Sequence, residues 1–126
     1  MPIEYQRDDG KRRVFIHSDG IPVLEEVLGT MDRQAADGAW SYSVQYDARG
    51  STRGPTPEEL HQILLHIGKL TVKHGPRGPV ALIIADPGVF KAAKRYASLG
   101  ELTALRVELF ATTEAAENWL DSVQRV

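Results

Sequence analysis

Between Trp40 and Tyr46 the chain changes character at every step, with Trp40, Tyr42, Val44 and Tyr46 alternating with Ser41, Ser43 and Gln45. A period of two is that of a β-strand with one apolar and one polar face. A strand clad by helices on both sides should be apolar on both faces, so the polar half predicts a place near the sheet edge. The alternative is a wet cavity beneath a helix on that side. The chain then turns polar through Asp47-Ala48-Arg49-Gly50-Ser51-Thr52-Arg53-Gly54-Pro55, which reads as a loop. Thr56-Pro57-Glu58-Glu59 follows as a helix start, with Thr56 as N-cap, proline at the first helical position and glutamate at the third, a capping box. The stripe Leu60, Ile63, Leu64, Ile67 and Leu70 predicts a helix from Pro57 to about His74, stopped by Gly75-Pro76.

The same reading extends in both directions. Ile3 to Gln6 and Arg12 to His17 flank Asp8-Asp9-Gly10-Lys11, a hairpin signal. Ser18-Asp19-Gly20 offers caps for a helix with Ile21, Leu24, Val27, Leu28, Met31 and Ala35 on its apolar stripe, ending at Asp37-Gly38. Pro79 to Ala85 is apolar without alternation and predicts an interior strand covered on both faces. Asp86-Pro87 caps a third helix that would turn Phe90, Ala93 and Ala97 to the sheet and a basic stripe, Lys91, Lys94 and Arg95, to solvent. Leu105 to Phe110 is the last strand. Thr112-Thr113-Glu114 opens a final helix carrying Ala116, Trp119, Leu120 and Val123. The order ββαβαβαβα predicts an α/β sandwich in one domain over residues 1–126: a mixed, mostly parallel sheet of about five strands with an antiparallel edge.

Composition narrows the chemistry. A chain of 126 residues fits one domain. A net charge of -2 argues against a protein that works on nucleic-acid backbones. With no cysteine, disulfides, thiolate catalysis and cysteine-ligated metals are excluded. The start Met1-Pro2-Ile3-Glu4-Tyr5-Gln6 lacks the apolar core of a signal peptide, and no apolar run reaches the roughly eighteen residues of a membrane span. A cytoplasmic protein is expected. The opening hairpin leaves an edge strand that could pair across a two-fold axis, although Arg7, Lys11, Arg12 and Arg13 would guard it, so both monomer and homodimer stay open.

Tyr46-Asp47-Ala48-Arg49-Gly50, Gly78-Pro79-Val80-Ala81, Ala85-Asp86-Pro87 and Val107-Glu108-Leu109-Phe110, leading into Glu114-Ala115-Ala116-Glu117-Asn118-Trp119-Leu120, together resemble the SpoIIAA-like branch of the STAS superfamily. The resemblance spans nearly the whole chain and agrees in element order. It implies a non-enzymatic domain that binds a partner protein or a small ligand, in a fold similar to the lipid-carrying SEC14 type. The phosphorylated Asp-Ser-Ser-Gly-type motif of the sigma-factor-regulating antagonists is replaced here by Pro55-Thr56-Pro57-Glu58, in which Thr56 is expected to act as a cap. Glu58 and Glu59 would repel a phosphate there.

The candidate chemistry gathers where strands end and helices begin, the ligand side of open α/β sheets. This rim comprises Asp47, Arg49, Ser51, Thr52, Arg53 and Thr56, with Asp86 and Thr112 as neighbours. Arginine forks suit carboxylates and phosphates; in the blander reading Asp47 and Arg49 tie down their own loop while Arg53 is solvated. An acid-base set would need His17 beside a rim aspartate. The histidines His17, His61, His66 and His74 lack metal-ligand spacing, so no metal and no cofactor is expected. Two functions remain: a regulatory or binding domain that meets a partner protein or ligand at the rim, and a carrier of a small apolar or lipid-like molecule lodged against Trp40, Tyr42 and Tyr46. Peripheral contact of the basic stripe with anionic lipid is a further option.

Overall fold

The computed structural model describes residues 3–101 and 105–124. Its elements follow in the order β1 (Ile3–Asp8), β2 (Arg13–Gly20), α1 (Leu24–Ala36), β3 (Ser43–Ser51), α2 (Pro57–His74), β4 (Val80–Ile83), α3 (Pro87–Glu101), β5 (Val107–Phe110) and α4 (Thr113–Gln124). The strands form one sheet in the order β1-β2-β3-β4-β5. β1 runs antiparallel to β2, and every later neighbour pair is parallel. The α/β class, the mixed sheet and the element order are those the pattern predicts. No helix among the described residues is long and apolar enough to cross a membrane.

Strand order decides where the helices lie. When parallel strands are laid down one beside the next with crossovers of one hand, all the crossover helices fall on the same face. Residues alternate between faces, and the register places Tyr46 beside Leu82 and Gln45 beside Ala81. Leu82 packs with Met31 and Ala35 of α1, Leu60 and Ile63 of α2, and Tyr96 of α3. Ala81 and Ile83 point the other way, onto Ala116 and Leu120 of α4. Three helices therefore cover one face and one helix the other.

Short-range signals account for most element ends. Thr56 accepts from the Glu59 amide at 3.1 Å while Glu59 accepts from the Thr56 amide at 2.9 Å, the reciprocal capping box. Asp86 caps α3 through the amides of Gly88 and Val89 at 2.9 and 3.0 Å. Thr112 caps α4 through the amide of Ala115 at 3.2 Å. The helix α1 is different: its N-cap is Val23, without a side-chain bond, because Ser18, Asp19 and Gly20 belong to β2. Ile21 is correspondingly exposed. The phase of α3 also departs from expectation. Starting at Pro87, it buries Val89, Ala93, Tyr96 and Gly100 and leaves Phe90 exposed.

The central strand requires two corrections. It begins at Ser43 rather than Trp40, because Gly38 adopts φ 74 and the Tyr42 amide closes a turn onto the Ala39 carbonyl at 3.1 Å. It continues to Ser51, so the segment expected as a loop is largely strand, held by the extension of β2 through Asp19 and Gly20. Nor does its polar face mark the sheet edge: β3 is the middle strand, and Ser43 and Gln45 are buried. Ser43 Oγ accepts from Arg13 Nε at 3.1 Å, and Arg13 also reaches Asp121 and Gln124 of α4 at 2.9 and 2.6 Å. Partners on β2 and α4, rather than solvent, satisfy part of that face.

Leu120 is fully buried in the layer between α4 and the sheet, whereas Val72 is 91% exposed. Leu120→Ala should lower unfolding free energy by about 2–5 kcal/mol, and Val72→Ala should stay within about 0.5 kcal/mol of the parent. Urea titrations of the two variants against the parent check this. Equal effects would mean that α4 does not seal that face.

Candidate functional site

The sheet divides the predicted rim. Asp47 lies on the face shared with α4 and accepts from Arg49 Nε at 3.0 Å and Nη2 at 2.8 Å. Arg49 also donates to Thr113 Oγ1 at 2.9 Å, tying β3 to the first turn of α4. Its fork is thus engaged within the fold, as in the blander reading. The Arg49 hydrogen bonds hold Asp47 below the usual carboxylate range against the opposing effect of partial burial, and they raise Arg49 in return. His17 completes the cluster, with Nε2 3.0 Å from Asp19 and Nδ1 3.7 Å from Asp47. Thr56, Asp86 and Thr112 are spent on helix capping. Thr52 is exposed, and its amide donates to the Gly20 carbonyl at 2.8 Å.

Ser51 and Arg53 belong to the other side, beneath the three helices. Ser51 is buried, its hydroxyl 2.8 Å from that of Ser18. Arg53 is half exposed and stands 3.7 Å from Glu59. Both border a chamber of about 140 Å³ that separates the sheet from α1, α2 and α3. Its lining runs from Ser51, Arg53 and Gly54, at the carboxyl end of β3, to Arg77 and Val80, at the amino end of β4. Between these ends the walls are mostly apolar, with Ile16, Ala48 and Leu82 on the sheet and Val27, Ile63 and Ala93 on the helices. A Cβ on Gly54 would come within 2.5 Å of Ala92 Cβ, which shows how closely the strand-to-helix connection approaches α3 beside the chamber.

The lining also carries polar groups. Tyr46 reaches in from the sheet and Tyr96 from α3, and burial raises both phenols above their ordinary value. Arg77 comes from the connection between α2 and β4. It donates to Tyr96 Oη at 3.4 Å and to Gln34 Oε1 at 3.3 Å, and its guanidinium lies 5.0 Å from the centre of the Trp40 ring. Its Nε is sealed from solvent without a hydrogen-bond partner. Burial lowers its pKa, the direction expected when a cation is desolvated.

Loop position and residue type singled out the rim residues as candidates, but not the chamber or Arg77. Arg77 stands in Gly75-Pro76-Arg77-Gly78-Pro79, which reads only as punctuation between a helix and a strand. The available signal was Gly78: a side chain there would collide with the Tyr42 carbonyl, so this connection is pressed into the fold rather than looped out. Of the aromatic face expected to line a pocket, only Tyr46 does so. Trp40 packs with Met31 and Leu60, and Tyr42 donates to Asp9 at 2.7 Å.

By geometry the molecule is an open α/β sheet that encloses an apolar chamber on its three-helix side and carries a charged cluster on the other. No family model, curated protein or solved structure matches the chain.

The charged cluster carries a pH signature. A carboxylate whose folded pKa is depressed stabilises the fold above its unfolded value, near about 3.9, and loses that contribution as pH falls through the folded pKa. Asp47→Asn should therefore lower stability at pH 7 by about 0.2–1 kcal/mol, the range for a partly exposed pair. The difference should close as pH drops below about 4. Urea midpoints measured from pH 7 to pH 3 check it, and a gap that does not narrow would dissociate Asp47 from the effect.

Proposed function

We propose that this chain is a non-enzymatic binding domain of the SpoIIAA-like kind that carries a small apolar molecule in the chamber beneath α1, α2 and α3, with the carboxyl-end rim as its mouth. The chamber is the observation that supports this reading. A comparable engineered cavity of about 150 Å³ lined by apolar side chains stays dry and takes up benzene, so a space of about 140 Å³ suits a guest of similar bulk. Ser51 and Arg53, two of the rim residues by sequence, border it, which links that part of the rim to the interior. Recognition without turnover accords with the lining: the Ser18 and Ser51 hydroxyls face one another at 2.8 Å, and Glu59 is occupied by the capping box. His17 and Asp47 line no part of the chamber. A partner protein would then meet the rim as the surface through which the loaded and empty states are told apart.

Filling the chamber tests the proposal. Ala48 is buried on the sheet side of the space. Ala48→Leu should leave stability unchanged or raise it by about 0.5–2 kcal/mol, the range for filling a cavity, while abolishing uptake of a small apolar guest such as octanol. Calorimetric titration of parent and variant, with native mass spectrometry of the protein as purified, provides the measurement. Equal uptake by both, or no uptake by the parent, would count against the carrier reading.

A further inference from the structure

A half-buried arginine beside an apolar chamber poses a question of charge. Arg77 forms no ion pair with any carboxylate among the described residues. Its two hydrogen bonds, to Tyr96 and Gln34, are long at 3.4 and 3.3 Å, both go to neutral oxygens, and its Nε has no partner. Isolated charges are costly to bury unless they are paired and hydrogen-bonded. The π-face of Trp40 at 5.0 Å offsets only part of that cost. Arg77 thus lines the chamber as a partly desolvated cation with no carboxylate partner among the described residues.

The geometry points to a monocarboxylate with a short aliphatic tail as the guest, its carboxylate on Arg77 beside Tyr96 and its tail along the apolar walls toward Gly54. This assignment rests on the carrier reading and names the chemistry of the cargo. A planar carboxylate matches the arginine fork, whose two Nη groups each keep a hydrogen beyond those given to Tyr96 and Gln34. A phosphate dianion would leave excess charge against one cation in an apolar enclosure. Tyr96 can turn its hydroxyl hydrogen to the same carboxylate while still accepting from Arg77. The tail has the remaining length: from Val80 to Ile84 the β4 edge of the chamber spans roughly 13 Å at strand spacing. A volume of about 140 Å³ spread along such a span makes a narrow channel suited to a linear chain.

Octanoate and octanol separate head from tail. Titrated into the full chain at pH 7, octanoate should bind on the order of tenfold to a hundredfold tighter than octanol, the scale of a hydrogen bond to a charged group. Arg77→Gln should bring octanoate down to the level of octanol and leave octanol binding as it was. In the parent, lowering the pH from 7 to 4 should shrink the advantage as the ligand protonates, and this measurement stands whether or not Arg77→Gln folds. Octanol bound as tightly as octanoate, or an advantage that survives either Arg77→Gln or the fall in pH, would overturn the carboxylate assignment and leave the carrier reading in place. Binding of neither ligand would overturn both.

Discussion

The interior of this protein is governed by a mismatch between the area of one sheet face and the volume of the side chains beneath it. Laying four parallel strands side by side commits α1, α2 and α3 to a single face, and the three helices must bridge it together. Met31, Leu60, Ile63 and Tyr96 belong to the main cluster and also border the chamber. Toward the carboxyl end the facing residues are Ala48 on β3 and Ala92 and Ala93 on α3, too small to fill the gap. Interiors ordinarily pack to the density of organic crystals, and unfilled volume forfeits contacts. The void therefore weakens the fold, since the residues around it forgo contacts that a filled interior would supply.

The two faces divide the work. On the α4 side Ala81, Ile83, Ala116 and Leu120 close into a dry layer, flanked by Arg13 and its contacts to Ser43, Asp121 and Gln124. Farther along the same face Asp47, Arg49 and Thr113 fasten the end of β3 to α4. These are internal fastenings. Their effect is to fasten α4 and the end of β3 to one side of the sheet, opposite the chamber.

How far the sequence discloses this follows from the range of each interaction. Capping is settled within about three residues, so Thr56, Asp86 and Thr112 were readable as helix starts. The apolar stripe of α2 was readable for the same reason. The polar side of β3 was misread as an edge because its partners are remote: Arg13 lies on β2 and Asp121 on α4, and neither is implied by Ser43 itself. Trp40 seemed to extend the strand because a turn following a helix can imitate a period of two. A cavity is harder still to foresee. It is set by the summed volumes of residues from seven elements, and each alanine in it reads as ordinary core.

Arg77 shows how a site can be invisible in composition and yet follow from physical accounting. On a surface its charge would be cheap and would signify little. Between Gly-Pro and Gly-Pro, with Gly78 pinned against the Tyr42 carbonyl, its backbone is carried inward. The guanidinium is then left with Tyr96, Gln34 and the Trp40 ring. Were its purpose only to join α1, α3 and the α2–β4 connection, a neutral donor such as glutamine could make comparable bonds without the expense of a partly desolvated cation. A fixed positive charge has a property that such a donor lacks: it discriminates between an anion and a neutral molecule of the same shape. In a chamber whose walls otherwise favour any apolar body of suitable width, that discrimination is where selectivity would reside.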